Sequence, residues 1–155
     1  TCGPAQSGGG PPPGQFDAGR FDAWHASLAD LRQLCVDMGV FFQAQDDYLD
    51  CFGDPELIGK IGTDIEEGKC TWLLTDALGR CDRPQRSVLA SCVGRSDAVS
   101  VAAVKEVYED VGVVQSFKAY EEECHSAMVE KIKKLPDAHS LLLQDLLAKV
   151  FKRLS

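Results

Sequence analysis

FFQAQDDYLDCFGDPELIGKIGTDIEEGKCTWLL, residues 41–74, is the stretch on which the reading turns. Its first twelve residues continue an apolar pattern of helical period, and Gly53-Asp54-Pro55 then halts it, because glycine and proline both disfavour helix continuation. A glycine-rich loop follows, Gly59-Lys60-Ile61-Gly62. Thr63 and Glu66 have the spacing of a capping box, which predicts a helix starting there and running through Trp72, Leu73 and Leu74.

Upstream, Phe21, Trp24, Leu28, Leu31, Cys35, Met38 and Phe42 alternate spacings of three and four, with Leu49 and Phe52 in the same register. This predicts one apolar stripe on a helix of about eight turns, interrupted only by Gln45. Residues 1–15 are dominated by Gly, Pro and Ser and carry no large apolar residue, so they bury too little to offset their ordering entropy. Residues 1–20 are therefore assigned to a disordered arm or insertion, and 21–155 to the folded part. Downstream, the apolar spacing predicts helices at about 84–93, 97–111, 113–134 and 138–153. The valine-rich 97–111 segment admits a strand, but the spacing of Val101, Val104, Val107, Tyr108 and Val111 favours a helix. The expected class is all-α, part of a helical bundle.

The bulk properties narrow the function. The 155 residues suffice for one domain, with 45% hydrophobic and 26% charged residues. A net charge of -8 argues against nucleic acid or an anionic membrane as the main partner. The seven cysteines form no C-x-x-C pair, and His125 and His139 lack zinc spacing, so free thiols in a reducing compartment are expected. No apolar run reaches the roughly 18 residues of a membrane span. The chain opens on Thr1 with no signal-peptide pattern, and we expect a fragment or a processed product.

The chemistry sits at the end of the long helix. At about 100° per residue, Asp46, Asp50 and Gln43 share one narrow arc beside the apolar stripe, with Asp47 somewhat further round. Gly39, one turn earlier, leaves room above the carboxylates. Like charges four apart destabilise a helix by roughly 0.2–0.5 kcal/mol, so a cation should offset them. A hard divalent ion such as Mg²⁺ suits the set, since it takes one or two carboxylates and completes its shell with water and phosphate. The plain alternative is a solvated acidic helix end. Lys60 and Lys69 are suited to phosphate oxygens, although surface lysines are common. A Walker A loop is excluded, because Gly53 to Gly59 is one residue too long and Ile61 stands where Ser or Thr is required.

The run 41–74 resembles the second aspartate-rich region of the farnesyl diphosphate synthases in order, spacing and residue type. The likeness extends more loosely from Phe21 to Arg153 and takes in Tyr120-Glu121-Glu122 and Phe151-Lys152-Arg153. It implies the C-terminal portion of an all-α isoprenoid synthase bundle, working in the cytoplasm as a homodimer. The implied reaction is head-to-tail condensation of an allylic diphosphate (dimethylallyl or geranyl) with isopentenyl diphosphate to give farnesyl diphosphate. In that chemistry Mg²⁺ assists departure of the allylic diphosphate.

Position by position, the resemblance implies that Asp46 is a direct metal ligand. Asp47 and Asp50 support the motif, Asp50 through water, and Asp64 orders water around a metal. Gln43, Lys60 and Lys69 correspond to allylic-diphosphate contacts, Phe42 to the isopentenyl pocket, and Arg153 to the basic residue that closes over isopentenyl diphosphate. A cation at a helix C-terminus is favourable without any ligand, which is the plain reading of Arg153. The family's first aspartate-rich motif and its upstream isopentenyl-binding residues do not occur in this sequence. The alternatives are a geranylgeranyl diphosphate synthase or a non-catalytic helical subunit.

Overall fold

The computed structural model describes residues 18–59, 61–135 and 137–152. All its elements among these residues are helices: α1 (Ala18–Phe52), α2 (Pro55–Ile58), α3 (Trp72–Arg80), α4 (Arg83–Cys92), α5 (Ala98–Asp110), α6 (Val113–Ile132) and α7 (Asp137–Phe151). The four downstream helices lie where the apolar spacing puts them, and 97–111 is helical. The first 17 residues of the expected arm lie outside the described residues. Its last three, 18–20, are instead the first turn of α1.

The helix expected from Thr63 does not form. Residues 64–68 are a series of turns, and Gly68 takes φ 65°, a left-handed value that no right-handed helix can pass through. The Thr63 hydroxyl donates to Glu67 Oε1 at 2.8 Å instead of capping. Thr71 is the true N-cap: its Oγ1 accepts the Leu74 N–H, and α3 begins at Trp72. A capping box does occur, at Asp82 and Gln85, ahead of α4.

The α1 helix runs 35 residues, about 50 Å, along the molecule. Its buried line is displaced from the expected stripe. Leu34, Met38, Phe41 and Ala44 are buried, whereas Leu28, Cys35 and Phe42 are exposed. The reason is placement of neighbours: α6 and α7 cover one flank of the stripe with Met128, Ile132, Leu143 and Leu147. Val36, Val40 and Phe42 remain exposed on the rest of the helix surface. A second core joins the end of α1 to the short helices through Cys51, Ile65, Leu73, Ala77, Leu89, Val104, Tyr108 and Val113. Stacked rings tie the two cores to α1, Phe41 on Phe151 at 4.4 Å and Tyr48 on Phe117 at 4.3 Å.

Gln45, the one polar residue in the expected stripe, is fully buried. Its amide donates to the Val150 carbonyl at 3.0 Å, which fastens the last turn of α7 to the middle of α1. Lys105 closes the other end, with its ammonium donating to the Cys51 carbonyl at 2.7 Å, one of the acceptors a helix terminus leaves unpaired. The six described cysteines are free thiols. Among the described residues no helix is long and apolar enough to cross a membrane.

Candidate functional site

The site is built where the chain leaves α1, turns through 61–71 and enters α3. Gly62 sets how close the loop comes. A Cβ there would fall 1.7 Å from the Asp50 carbonyl oxygen, so only glycine lets the backbone press against the last turn of α1. That approach brings the Asp64 N–H onto Asp50 Oδ2 at 2.9 Å. Asp47 does the same for the next element. Its Oδ2 accepts the Trp72 N–H at 2.8 Å and its Oδ1 accepts from the Gln43 amide at 2.9 Å. Asp47 is buried, so these bonds form in a low-dielectric setting where charge-assisted contacts are strong. Two of the three aspartates of the motif thus hold the loop and α3 in register with α1.

The turn itself is pinned from outside. The Gly94 N–H, in the α4–α5 connection, donates to the Ile65 carbonyl at 2.8 Å. Within the turn, the N–H groups of Glu67, Gly68 and Lys69 donate to the carbonyls of Thr63, Ile65 and Asp64. These bonds bring Lys69 back beside Asp64: its Nζ lies 2.7 Å from Asp64 Oδ1 and 3.0 Å from Glu67 Oε2. The hydrogen bond to Asp64, and then that to Glu67, raises the Lys69 pKa and holds the ammonium charged. The Glu67 pKa is lowered, first by its bond from Lys69 and then by that from Thr63.

An open cleft of about 390 Å³ results, walled by Gln43, Asp46, Asp47, Asp64, Lys69, Cys70 and Thr71. Five of the residues anticipated from the sequence, Gln43, Asp46, Asp47, Asp64 and Lys69, meet there. Asp50 stands behind the wall and acts on the Asp64 backbone. Phe42 is exposed, one position along α1 from Gln43, outside the cleft wall. Lys60 and Arg153 lie outside the described residues. Thr71, Cys70 and Glu67 were not anticipated. A threonine directly before Trp72-Leu73-Leu74 was the signal for Thr71, whereas the parts of Glu67 and Cys70 depend on how the turn folds.

Among the described residues no group of three or more His, Cys, Asp or Glu could hold a metal ion by itself. The cleft presents three carboxylates beside one ammonium and a single thiol, that of Cys70. The carboxylate oxygens fit a hard divalent cation that keeps water and takes phosphate oxygens, and one thiol without histidine makes neither a closed zinc set nor a calcium cage.

Both fold and site have counterparts among known proteins. The architecture is that of the all-α isoprenoid synthases: a T. brucei farnesyl diphosphate synthase complexed with a bisphosphonate superposes with a TM-score of 0.80 and 33% identity, over 83% of this chain and 36% of that one. The family model described as Polyprenyl synthetase matches residues 19–111, and the chain belongs to that family. It is 45% identical over 129 residues to farnesyl pyrophosphate synthase 2 of Arabidopsis thaliana, covering 80% of this chain and 36% of that protein. It is 44% identical over 128 residues to farnesyl pyrophosphate synthase of Zea mays, covering 82% and 37%. The chain spans about a third of the length of the curated relatives it matches.

Proposed function

We propose that this chain forms one wall of the active site of a prenyltransferase that joins an allylic diphosphate to isopentenyl diphosphate and releases farnesyl diphosphate. The observation that carries this reading is the convergence of Gln43, Asp46, Asp64 and Lys69 on one open cleft. In the family and in the solved relative named above, the same architecture serves proteins named for farnesyl diphosphate synthesis.

The residues divide the work by charge. Asp46 would hold a Mg²⁺ ion directly and Asp64 would hold its water. When bound, the ion supplies positive charge against the departing diphosphate. Lys69 and Gln43 donate to diphosphate oxygens and orient the allylic substrate, while Asp47 and Asp50 keep the donors at fixed spacing. Lys60 and Arg153 would add cations, the first to the allylic diphosphate and the second over isopentenyl diphosphate, with Phe42 lining the latter's pocket. We place the working enzyme in the cytoplasm as a homodimer.

The test is product analysis of the full polypeptide that carries this chain, incubated with Mg²⁺, isopentenyl diphosphate and dimethylallyl or geranyl diphosphate. Farnesyl diphosphate as main product supports the proposal, and geranylgeranyl diphosphate as main product would shift it to the longer-chain synthases. The alternative is a non-catalytic helical subunit. Absence of turnover in the full polypeptide, with Mg²⁺-dependent diphosphate binding retained, would select it.

A further inference from the structure

The turn that presents Lys69 also presents a competitor for it. Glu67 is gripped at both oxygens, Oε1 by the Thr63 hydroxyl at 2.8 Å and Oε2 by Lys69 Nζ at 3.0 Å. Gly68, with its left-handed φ of 65°, reverses the chain between the two residues and lets their side chains converge. Lys69 therefore stands between two carboxylates. They differ in position: Asp64 lines the cleft with a side chain 14% exposed, whereas Glu67 is 53% exposed and lies outside the cleft wall.

We propose that Glu67 sets the affinity of the site by competing with phosphate oxygens for Lys69, so that an arriving diphosphate displaces Glu67 while Asp64 keeps its hold. Three carboxylates and one ammonium line the cleft, so it is already net negative. Glu67, the second carboxylate on the Lys69 ammonium, withholds further positive charge from any anionic ligand. Lysine suits the exchange, because its compact ammonium on a flexible stem can keep one partner and swap another. The Thr63 bond gives the exchange a resting position, since it keeps Glu67 beside Lys69 after the ligand leaves. An exposed ion pair is weak, so the competition tunes binding without abolishing it.

This inference rests on the diphosphate reading of the cleft, and calorimetry separates the two. The full polypeptide that carries this chain is titrated with inorganic diphosphate in the presence of MgCl₂, as the parent and as Glu67→Gln, Glu66→Gln and Thr63→Val. Glu67→Gln should bind about two- to fivefold more tightly than the parent. Thr63→Val keeps the charge but frees Glu67 Oε1, and should move affinity the same way by a smaller factor. Glu66→Gln, the control for loss of charge alone, should leave affinity within experimental error. Unchanged or weaker binding by Glu67→Gln, with the parent binding normally, would overturn the competition and make Glu67 a support for Lys69. Equal tightening by Glu66→Gln would reduce the effect to net charge and also overturn it. No binding by the parent would overturn the diphosphate reading, and this inference with it.

Discussion

The Asp50 carboxylate and the Asp64 backbone N–H, 14 residues apart, are joined at 2.9 Å. One aspartate of the motif is thereby used to seat another. Asp47 is used in the same way for Trp72, 25 residues on. An aspartate-rich motif at the end of a helix can thus be part ligand and part scaffold. Asp46, one turn before Asp50, lines the cleft itself.

From that division, Asp46→Ala in the full enzyme should lower kcat by about a hundredfold or more while changing KM much less. Charge on the leaving diphosphate grows toward the transition state, which is where a metal-holding carboxylate matters. Steady-state kinetics with geranyl and isopentenyl diphosphates checks this. An unchanged kcat would remove Asp46 from the metal-holding role.

Two glycines on the same helix–loop unit should respond in opposite ways to alanine. Gly62→Ala places a methyl carbon 1.7 Å from the Asp50 carbonyl oxygen, so the loop must move, at a cost of about 1–3 kcal/mol and with loss of the Asp50–Asp64 bond. At Gly39 a Cβ meets nothing within 4 Å, and Gly39→Ala should stabilise α1 by about 0.5–1 kcal/mol. Thermal melts followed by circular dichroism distinguish the two. A neutral Gly62→Ala would mean that the loop does not rest against α1 in solution.

Gln45→Ala should destabilise the chain by about 1–2 kcal/mol, because it leaves the part-buried Val150 carbonyl without this donor. Since the bond fastens the end of α7, amide hydrogen exchange should rise most around residues 147–151. Uniform loss of protection across all helices would argue against that local role.

Acid should act on α5 through its cap. Asp97 accepts the Ser100 N–H and hydroxyl and faces Arg95, and these bonds, led by the backbone one, hold its pKa down to about 2. The folded pKa is depressed, so its stabilising contribution is complete above the unfolded carboxylate value near 4. It is lost as pH falls from there toward 2. Melting temperature measured between pH 5 and 2 should therefore drop less steeply in Asp97→Asn, which keeps a capping side chain but does not titrate.

Residues 1–155 by themselves should associate and fail to transfer prenyl groups. Val36, Val40 and Phe42 on α1, with Leu141, Leu142 and Leu146 on α7, expose large apolar side chains, which invites self-association. The sequence also holds only one aspartate-rich motif of the two that the family's chemistry uses. Light scattering together with a radiolabelled isopentenyl diphosphate assay decides. A monodisperse monomer with steady turnover would refute both parts.

What the amino-acid sequence determined by itself was local. The seams of α4 to α7, the stop at Gly53-Asp54-Pro55 and the shared arc of Gln43 and Asp46 follow from turns of 3.6 residues and from the conformational limits of glycine and proline. Tertiary structure decided which side of the α1 stripe is covered, because α6 and α7 come from 70 to 110 residues away and burial goes to whichever flank they meet. It also moved the helix start from Thr63 to Thr71. A capping box competes with everything else its backbone can bond, and here Asp50, Gly94 and the left-handed Gly68 claim that backbone first. The roles of Asp47, Asp50, Gln45 and Glu67 belong to the same class: each depends on a partner whose position only the folded chain defines.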